Sequence, residues 1–187
     1  MKDANRGRLP LVVGILGKKR SGKDTVGCYL RERRGYRTMA YADALKEALL
    51  IVNPLVKDGL RLGHFIDFLG WEGAKTFPET RRLLQTFGDA TRHLDPDIYL
   101  GPVSRAIDEA HVNDRRLAIT DVRRKNEADL ICQHGGLLLR VTRPGFDTGD
   151  THISETDLDD YAPVVDVEND GTILDLWAKV DRILRTH

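Results

Sequence analysis

Short apolar runs alternate with helical stripes along this chain. Leu9–Leu16 is apolar and rich in branched residues, the mark of a fully buried strand. It runs into Gly17–Gly22, and a helix follows from Lys23 to Arg33 with Gly35 as its stop. Arg37–Tyr41 predicts a second short strand. Ala44, Leu45, Ala48, Leu49 and Val52 share one helical face, which Pro54 ends. Residues 55–112 are predicted to be helical. Within them Leu83, Leu84, Phe87, Ala90 and Leu94 make one buried stripe, and Val103, Ala106, Ile107 and Ala110 another. A third strand covers Leu117–Thr120 and ends at Asp121. A short helix follows at Asn126–His134, broken by Gly135-Gly136. Leu137–Thr142 and Val164–Val167 are the last two strands. The final helix buries Ile173, Leu176, Trp177, Val180, Ile183 and Leu184. Asp175/Lys179 and Asp181/Arg185 form i,i+4 pairs on its other face.

Apolar strands that alternate with helices predict an α/β fold with a parallel sheet covered on both faces. The helical block is too long for a simple crossover, so it is expected to form a lobe beside the cleft rather than a separate domain. The expected plan is one domain over residues 1–187. Its core covers 9–52, 115–142 and 162–187, with the lobe at 53–112.

Composition narrows the partners. The chain has 187 residues, 41% hydrophobic and 31% charged, enough apolar content for a packed core. Its 29 Lys+Arg balance 29 Asp+Glu, and zero net charge argues against a nucleic-acid partner. The two cysteines, Cys28 and Cys132, belong to no Cys-x-x-Cys pair and suit a reducing compartment. No apolar run nears the roughly 18–20 residues that span a bilayer, and residues 1–10 lack a signal-peptide core. A soluble, cytoplasmic protein without a membrane partner is expected.

The most specific chemical signal is Gly17-Lys18-Lys19-Arg20-Ser21-Gly22-Lys23-Asp24-Thr25. It matches G-x-x-x-x-G-K between a strand and a helix. Glycines there let the backbone curl until its N–H groups point at phosphate oxygens, and the helix N-terminus adds partial positive charge. Lys23 would bridge the terminal phosphates. The next position, usually Ser or Thr, is Asp24. Asp24 is therefore expected to approach Mg²⁺, directly or through water, and Thr25 to bind an inner phosphate.

In open parallel sheets ligands bind beyond the carboxyl ends of the strands. The residues expected there are Asp43 and Lys46 after the second strand, and Asp121, Arg123 and Arg124 after the third. Arg140 and Arg143 follow the fourth, and Asn169 and Gly171 the fifth. Asp121 would hold Mg²⁺ through its water shell, and the arginines would clamp phosphate. Arg82, Gln85 and Arg92 on the helical lobe could face a second substrate, or lie on its solvated side. Residues 147–160 form an acidic, polar segment in which His152 is expected to fix the loop or touch substrate. Asp166-x-Glu168-x-Asp170-Gly171 fails as a calcium loop, because Trp177 stands at its twelfth position.

The ordered set of motifs resembles the phage-type deoxynucleoside monophosphate kinases, within the P-loop nucleoside monophosphate kinase group. The residues that carry the resemblance are Gly17–Thr25, Tyr41–Glu47 (YADALKE), Arg82–Gly88 (RLLQTFG) and Thr120–Asp129 (TDVRRKNEAD). Gly135–Gly145 (GGLLLRVTRPG), Asp150–Glu155 (DTHISE) and Asn169–Thr172 (NDGT) complete the set. The resemblance implies a five-stranded parallel sheet flanked by helices, a helical monophosphate-binding lobe, and a short lid at 143–160. It implies transfer of the ATP γ-phosphoryl group, with Mg²⁺, to a deoxynucleoside 5′-monophosphate. Lys46 and Arg123 would meet the acceptor phosphate, Asp121 would orient the Mg²⁺ waters, and Asn169–Thr172 would lie near adenine. Lys18, Arg20, Ser21, Gly22 and Gly171 would belong to the ATP site. Asp43, Arg82, Gln85, Arg92 and Asn126 would belong to the acceptor site, and Arg140 or Arg143 would close over the transferring group. A homodimer is plausible on the same likeness. Lys46 replaces an arginine common in the group, Ala44 a proline, and Arg124-Lys125 adds basic character. Other acceptors remain open, dephospho-coenzyme A or a modified base in DNA among them, as does a regulator that binds nucleotide without chemistry.

Overall fold

The computed structural model describes residues 9–146 and 156–187. The chain divides into two compact units, Met1–Ala40 with Val103–His187, and Tyr41–Pro102.

The larger unit is built on a parallel sheet. Its strands are β1 (Val12–Leu16), β2 (Arg37–Met39), β5 (Leu117–Val122), β6 (Leu137–Thr142) and β7 (Val165–Glu168). They lie in the order β2-β5-β1-β6-β7, all parallel. The expected sheet is thus present with β1 at its centre. All five residues of β1 are buried, so its lack of alternation reflects two covered faces. Val13 and Ile15 pack with Val26 and Leu30 of α1 (Lys23–Arg34) and with Leu176, Val180 and Leu184 of α7 (Ile173–Thr186). On the opposite face, a side chain at Gly14 would run into Leu138 and into Ile131 of α6 (Lys125–Gln133). Each large aliphatic buried in this way contributes on the order of 1.5–3 kcal/mol. Val103, Ala106, Ile107 and Ala110 are buried as their spacing predicts, on α5 (Leu100–Val112).

In β5 the expected strand end at Asp121 moves to Val122. Gly14 pairs with Ile119 but Leu16 with Val122, so one extra residue is inserted at Thr120-Asp121. Such a bulge re-aims the side chains it carries.

Two expectations about α7 are corrected. Ile173 is exposed, because it opens the helix ahead of the packed turns. Asp175 does not pair with Lys179. It sits at the third helical position and accepts from the Thr172 backbone N–H, while the Thr172 hydroxyl accepts from Asp175 N. Lys179 turns instead to the Glu168 carbonyl, 2.9 Å away, and to the Asp170 carboxylate.

The smaller unit holds α2 (Tyr41–Val52), a hairpin of β3 (Leu55–Lys57) and β4 (Leu60–Arg61), α3 (Leu62–Ala74) and α4 (Pro78–Leu94). The hairpin corrects the expectation of unbroken helix from residue 55. Asp58 and Gly59 take φ of 51° and 76°, the left-handed pair that closes a two-residue turn. Strands of two or three residues are too short to show a period. The stripe on α4 is also shorter than expected. Leu83, Leu84 and Phe87 pack against Leu49, Leu62 and Phe65, whereas Ala90 is exposed and Leu94 is 83% exposed. Thr80 and Gly88 are the fully buried positions on that helix. Among the described residues no helix is long and apolar enough to cross a membrane.

The Asp181–Arg185 pair predicted on α7 forms at 3.1 Å. Asp181 also meets Arg34 of α1 at 2.5 Å, which ties the two helices. Burial would raise the Asp181 carboxyl, but Arg34, Tyr29 and Arg185 outweigh it and hold it below the usual carboxylate range. A depressed folded-state value stabilises above the unfolded carboxylate range and is lost as pH falls through it. Asp181→Asn should therefore lower the melting temperature at neutral pH. Thermal melts from pH 7 down to pH 3 should show wild type and variant converging at the acid end.

Candidate active site

Three strand ends converge on the phosphate loop. Leu16, the last residue of β1, pairs with Val122 on one side and Arg140 on the other. The chain leaves β1 through Gly17 (φ 139°) and enters α1 through Gly22 (φ 111°), with Arg20 at φ 64° between them. These are conformations that favour glycine. At Gly17 space is the stricter limit, since a Cβ there would lie 2.2 Å from the Val141 carbonyl oxygen. Lys23 folds back and donates to the Lys18 carbonyl at 2.7 Å. Asn169, after β7, donates its side-chain amide to the Ser21 carbonyl at 2.9 Å, and its own N–H bonds Thr142 O at 2.7 Å. Asn169 thus fastens the loop to the neighbouring strand ends.

The loop borders a cavity of about 150 Å³. Gly17, Lys18 and Ser21 line one side, Arg123, Arg140 and Arg143 the others, and Leu158 and Asp159 complete the wall. Among the described residues cations outnumber the lining carboxylate, so the cavity suits an anion. Ser21 is 3% exposed, and its Oγ has no hydrogen-bond partner among the described residues. A buried hydroxyl without a partner is costly unless a ligand supplies one. Gly22 caps α1 without any side-chain bond, so that helix end keeps its N–H groups and partial charge for an anion.

Arg140 and Arg143 differ in their engagements. The Arg140 guanidinium donates to the carbonyls of Leu158 (2.9 Å) and Tyr161 (2.7 Å) and lies 3.6 Å from Asp166. Arg143 is exposed, with its guanidinium 4.2 Å from the Phe146 ring centre. Arg123 is half-buried. Its backbone N–H and that of Arg124 both donate to one oxygen of the buried Glu127, at 2.8 and 3.1 Å. Asn126 lies in the first turn of α6, and its side-chain oxygen accepts from Glu127 N.

For a metal, the donor set is small. Asp24 is exposed in the first turn of α1, and Asp121 lies at the bulge of β5. Among the described residues no three His, Cys, Asp or Glu side chains come together to hold an ion. One or two carboxylates beside a phosphate cradle fit Mg²⁺, which keeps several waters and shares phosphate oxygens.

In the smaller unit, Asp43 and Lys46 pair at 3.0 Å, and the Lys46 ammonium lies 5.9 Å from the Trp71 ring centre. Glu79 holds Arg82 through two hydrogen bonds, at 2.6 and 2.8 Å. Arg92 stacks over Tyr99 at 4.8 Å, and Gln85 is exposed. Thr25 is half-buried and Gly171 exposed. His152 and Glu155 lie outside the described residues. Leu158, Asp159 and Phe146 line the cavity without having been picked out by sequence. Phe146 follows the Pro144-Gly145 turn closely, whereas no local pattern marks Asp159.

A family model described as deoxynucleotide monophosphate kinase matches residues 75–180. A protein of Acanthamoeba polyphaga mimivirus, provisionally named a deoxynucleotide monophosphate kinase, is 28% identical over 79% of this chain and 82% of its own. The deoxynucleotide monophosphate kinase of Escherichia phage RB69 is 31% identical over 36% of this chain and 28% of its own. Among solved structures, a gluconokinase from Sinorhizobium meliloti 1021 aligns over 96% of both chains at TM-score 0.45 and 15% identity. TT1252 from Thermus thermophilus aligns over 96% of this chain and 98% of its own, at TM-score 0.40 and 20% identity.

Two glycine substitutions separate space from backbone strain. Gly17→Ala should cost at least about 3 kcal/mol, because a rigid carbonyl must move. Gly135→Ala should cost about 1–2 kcal/mol, for its positive φ alone, since a Cβ there meets nothing within 4 Å. Urea unfolding of both variants measures the difference.

Proposed function

The chain belongs to the deoxynucleotide monophosphate kinase family and is a nucleotide monophosphate kinase; from that premise we propose that it transfers the ATP γ-phosphoryl group to a deoxynucleoside 5′-monophosphate, with Mg²⁺. The observation that carries the donor side is the loop itself: buried Lys23 and the Ser21 hydroxyl, which has no partner among the described residues, beside a cavity lined by cations. The bond between the γ-phosphorus and its bridging oxygen breaks, and one to an acceptor phosphate oxygen forms, which yields ADP and a deoxynucleoside diphosphate. The acceptor oxygen is already anionic at neutral pH, so no strong general base is needed. Catalysis then rests on alignment and charge neutralisation.

Lys23, with Gly17, Lys18, Arg20, Ser21, Gly22 and Thr25, takes the donor phosphates in this reading. Asn169 and Gly171 flank the base side. Asp24 and Asp121 would hold Mg²⁺, which supplies neutralisation of the developing charge when bound. Arg123 and Asn126 are assigned to the acceptor. Of the two arginines after β6, Arg143 is assigned to the transferring group. Arg140 already commits one guanidinium nitrogen to two backbone carbonyls.

The test is a coupled assay of ADP release with Mg·ATP and each of dAMP, dGMP, dCMP and dTMP. Ribonucleotide, dephospho-coenzyme A and single-stranded DNA serve as controls. Turnover that depends on one or more deoxynucleotides supports the reading, and turnover only with a control discards the acceptor. Lys23→Ala should remove activity with an unchanged melting curve. Retention of more than about a tenth of the rate would contradict its role, because loss of one such contact costs several kcal/mol. Arg143→Ala should lower kcat with the melting temperature kept, whereas Arg140→Ala should lower both.

A further inference from the structure

The wall that faces the phosphate loop is a short segment, residues 157–161, most of which falls within the lid expected at 143–160. It is anchored at several points. Arg140 bonds the carbonyls of Leu158 and Tyr161, at 2.9 and 2.7 Å. Asp157 accepts from the Lys125 backbone at 3.0 Å, and the Tyr161 hydroxyl donates to Asp129 at 2.7 Å. Two turns, Asp159 N to Thr156 O and Tyr161 N to Leu158 O, fold the segment on itself. Leu158 is buried as its apolar foot.

Asp159 stands between these anchors. Its carboxylate lines the phosphate cavity and lies 3.8 Å from the Lys18 ammonium. An ion pair this long and half-exposed adds little to stability. The anchors, not the pair, decide where the carboxylate stands. A negative charge in the wall of a cavity whose other charged residues, among those described, are cations weakens the attraction for an anionic ligand. It also occupies Lys18, the lysine nearest the start of the loop.

We propose that Asp159 makes the donor site select the Mg²⁺ complex of the nucleotide over metal-free nucleotide. The inference rests on the reading of this cavity as the donor phosphate site. A fully ionised triphosphate carries about twice the negative charge of its Mg²⁺ complex, so the same carboxylate opposes the metal-free form more strongly. Asp159 thus acts as a specificity residue for the charge state of the donor.

Titration calorimetry of the full chain with the non-hydrolysable β,γ-imido analogue of ATP tests this, once with excess Mg²⁺ and once with a chelator. The side chain of Asp159 is 51% exposed, so Asp159→Asn should fold as wild type does, which a thermal melt checks. The variant should bind metal-free analogue roughly three- to tenfold more tightly and the Mg²⁺ complex less than about twofold more tightly. Equal gains for both forms would mean that only Lys18 was released, and would overturn the proposal. No change in either form would overturn it as well. The same substitution in a Lys18→Ala background should still shift the ratio of the two affinities; an unshifted ratio there counts against direct repulsion. If wild type binds neither form, the donor-site reading falls and this inference falls with it. Tight binding with an unaltered ratio removes the inference alone.

Discussion

Gly17 lies so close to the Val141 carbonyl that the backbone of the loop and the backbone of β6 touch without room for a side chain. That approach seats the phosphate loop between β5 and β6 rather than above them. It places Ser21 and Lys23 inside the fold, with 3% and 8% exposure, where a hydroxyl and an ammonium would otherwise not be left. Burial of the Ser21 hydroxyl, which has no partner among the described residues, is unfavourable unless a ligand supplies one. A cradle of this kind can hold phosphate closely because its donors lie away from bulk water and need little rearrangement on binding.

The rest of the larger unit serves this seating. The central strand is buried on both faces, so its direction and depth are set by packing. Register then carries the cations to the loop, since Leu16 pairs with both Val122 and Arg140. The bulge at Thr120-Asp121 and the two backbone bonds to Glu127 shape the corner from which Arg123 projects. Asn169 closes the ring from the far edge of the sheet through the Ser21 carbonyl.

Arginines that look equivalent in the chain do different work in the fold. Arg140 organises backbone, and Arg143 remains at the surface beside an aromatic ring. In the smaller unit Glu79 holds Arg82 in a two-point ion pair, and Lys46 shares its charge with Asp43. A cationic side chain already held by a carboxylate can still bind phosphate, but the ligand must compete with that partner.

The sequence alone determined those features whose causes lie within a few residues. The phosphate loop is legible because glycine at positions 17 and 22 permits backbone angles that few other residues tolerate. The strands and α7 are legible because apolar periodicity is local. Each of the five sheet strands begins or ends within three residues of its pattern. The β3–β4 hairpin was missed, since its strands are too short to carry a period and only the Asp58-Gly59 turn signals it. Tertiary structure alone decided the engagement of Arg140 with residues 158 and 161, the reach of Asn169 to Ser21 and the presence of Asp159 in the cavity wall. It also ended the α4 stripe at Phe87, beyond which Ala90 and Leu94 are exposed. Where groups meet, the partner is distant in sequence, and strand order and packing decide the meeting.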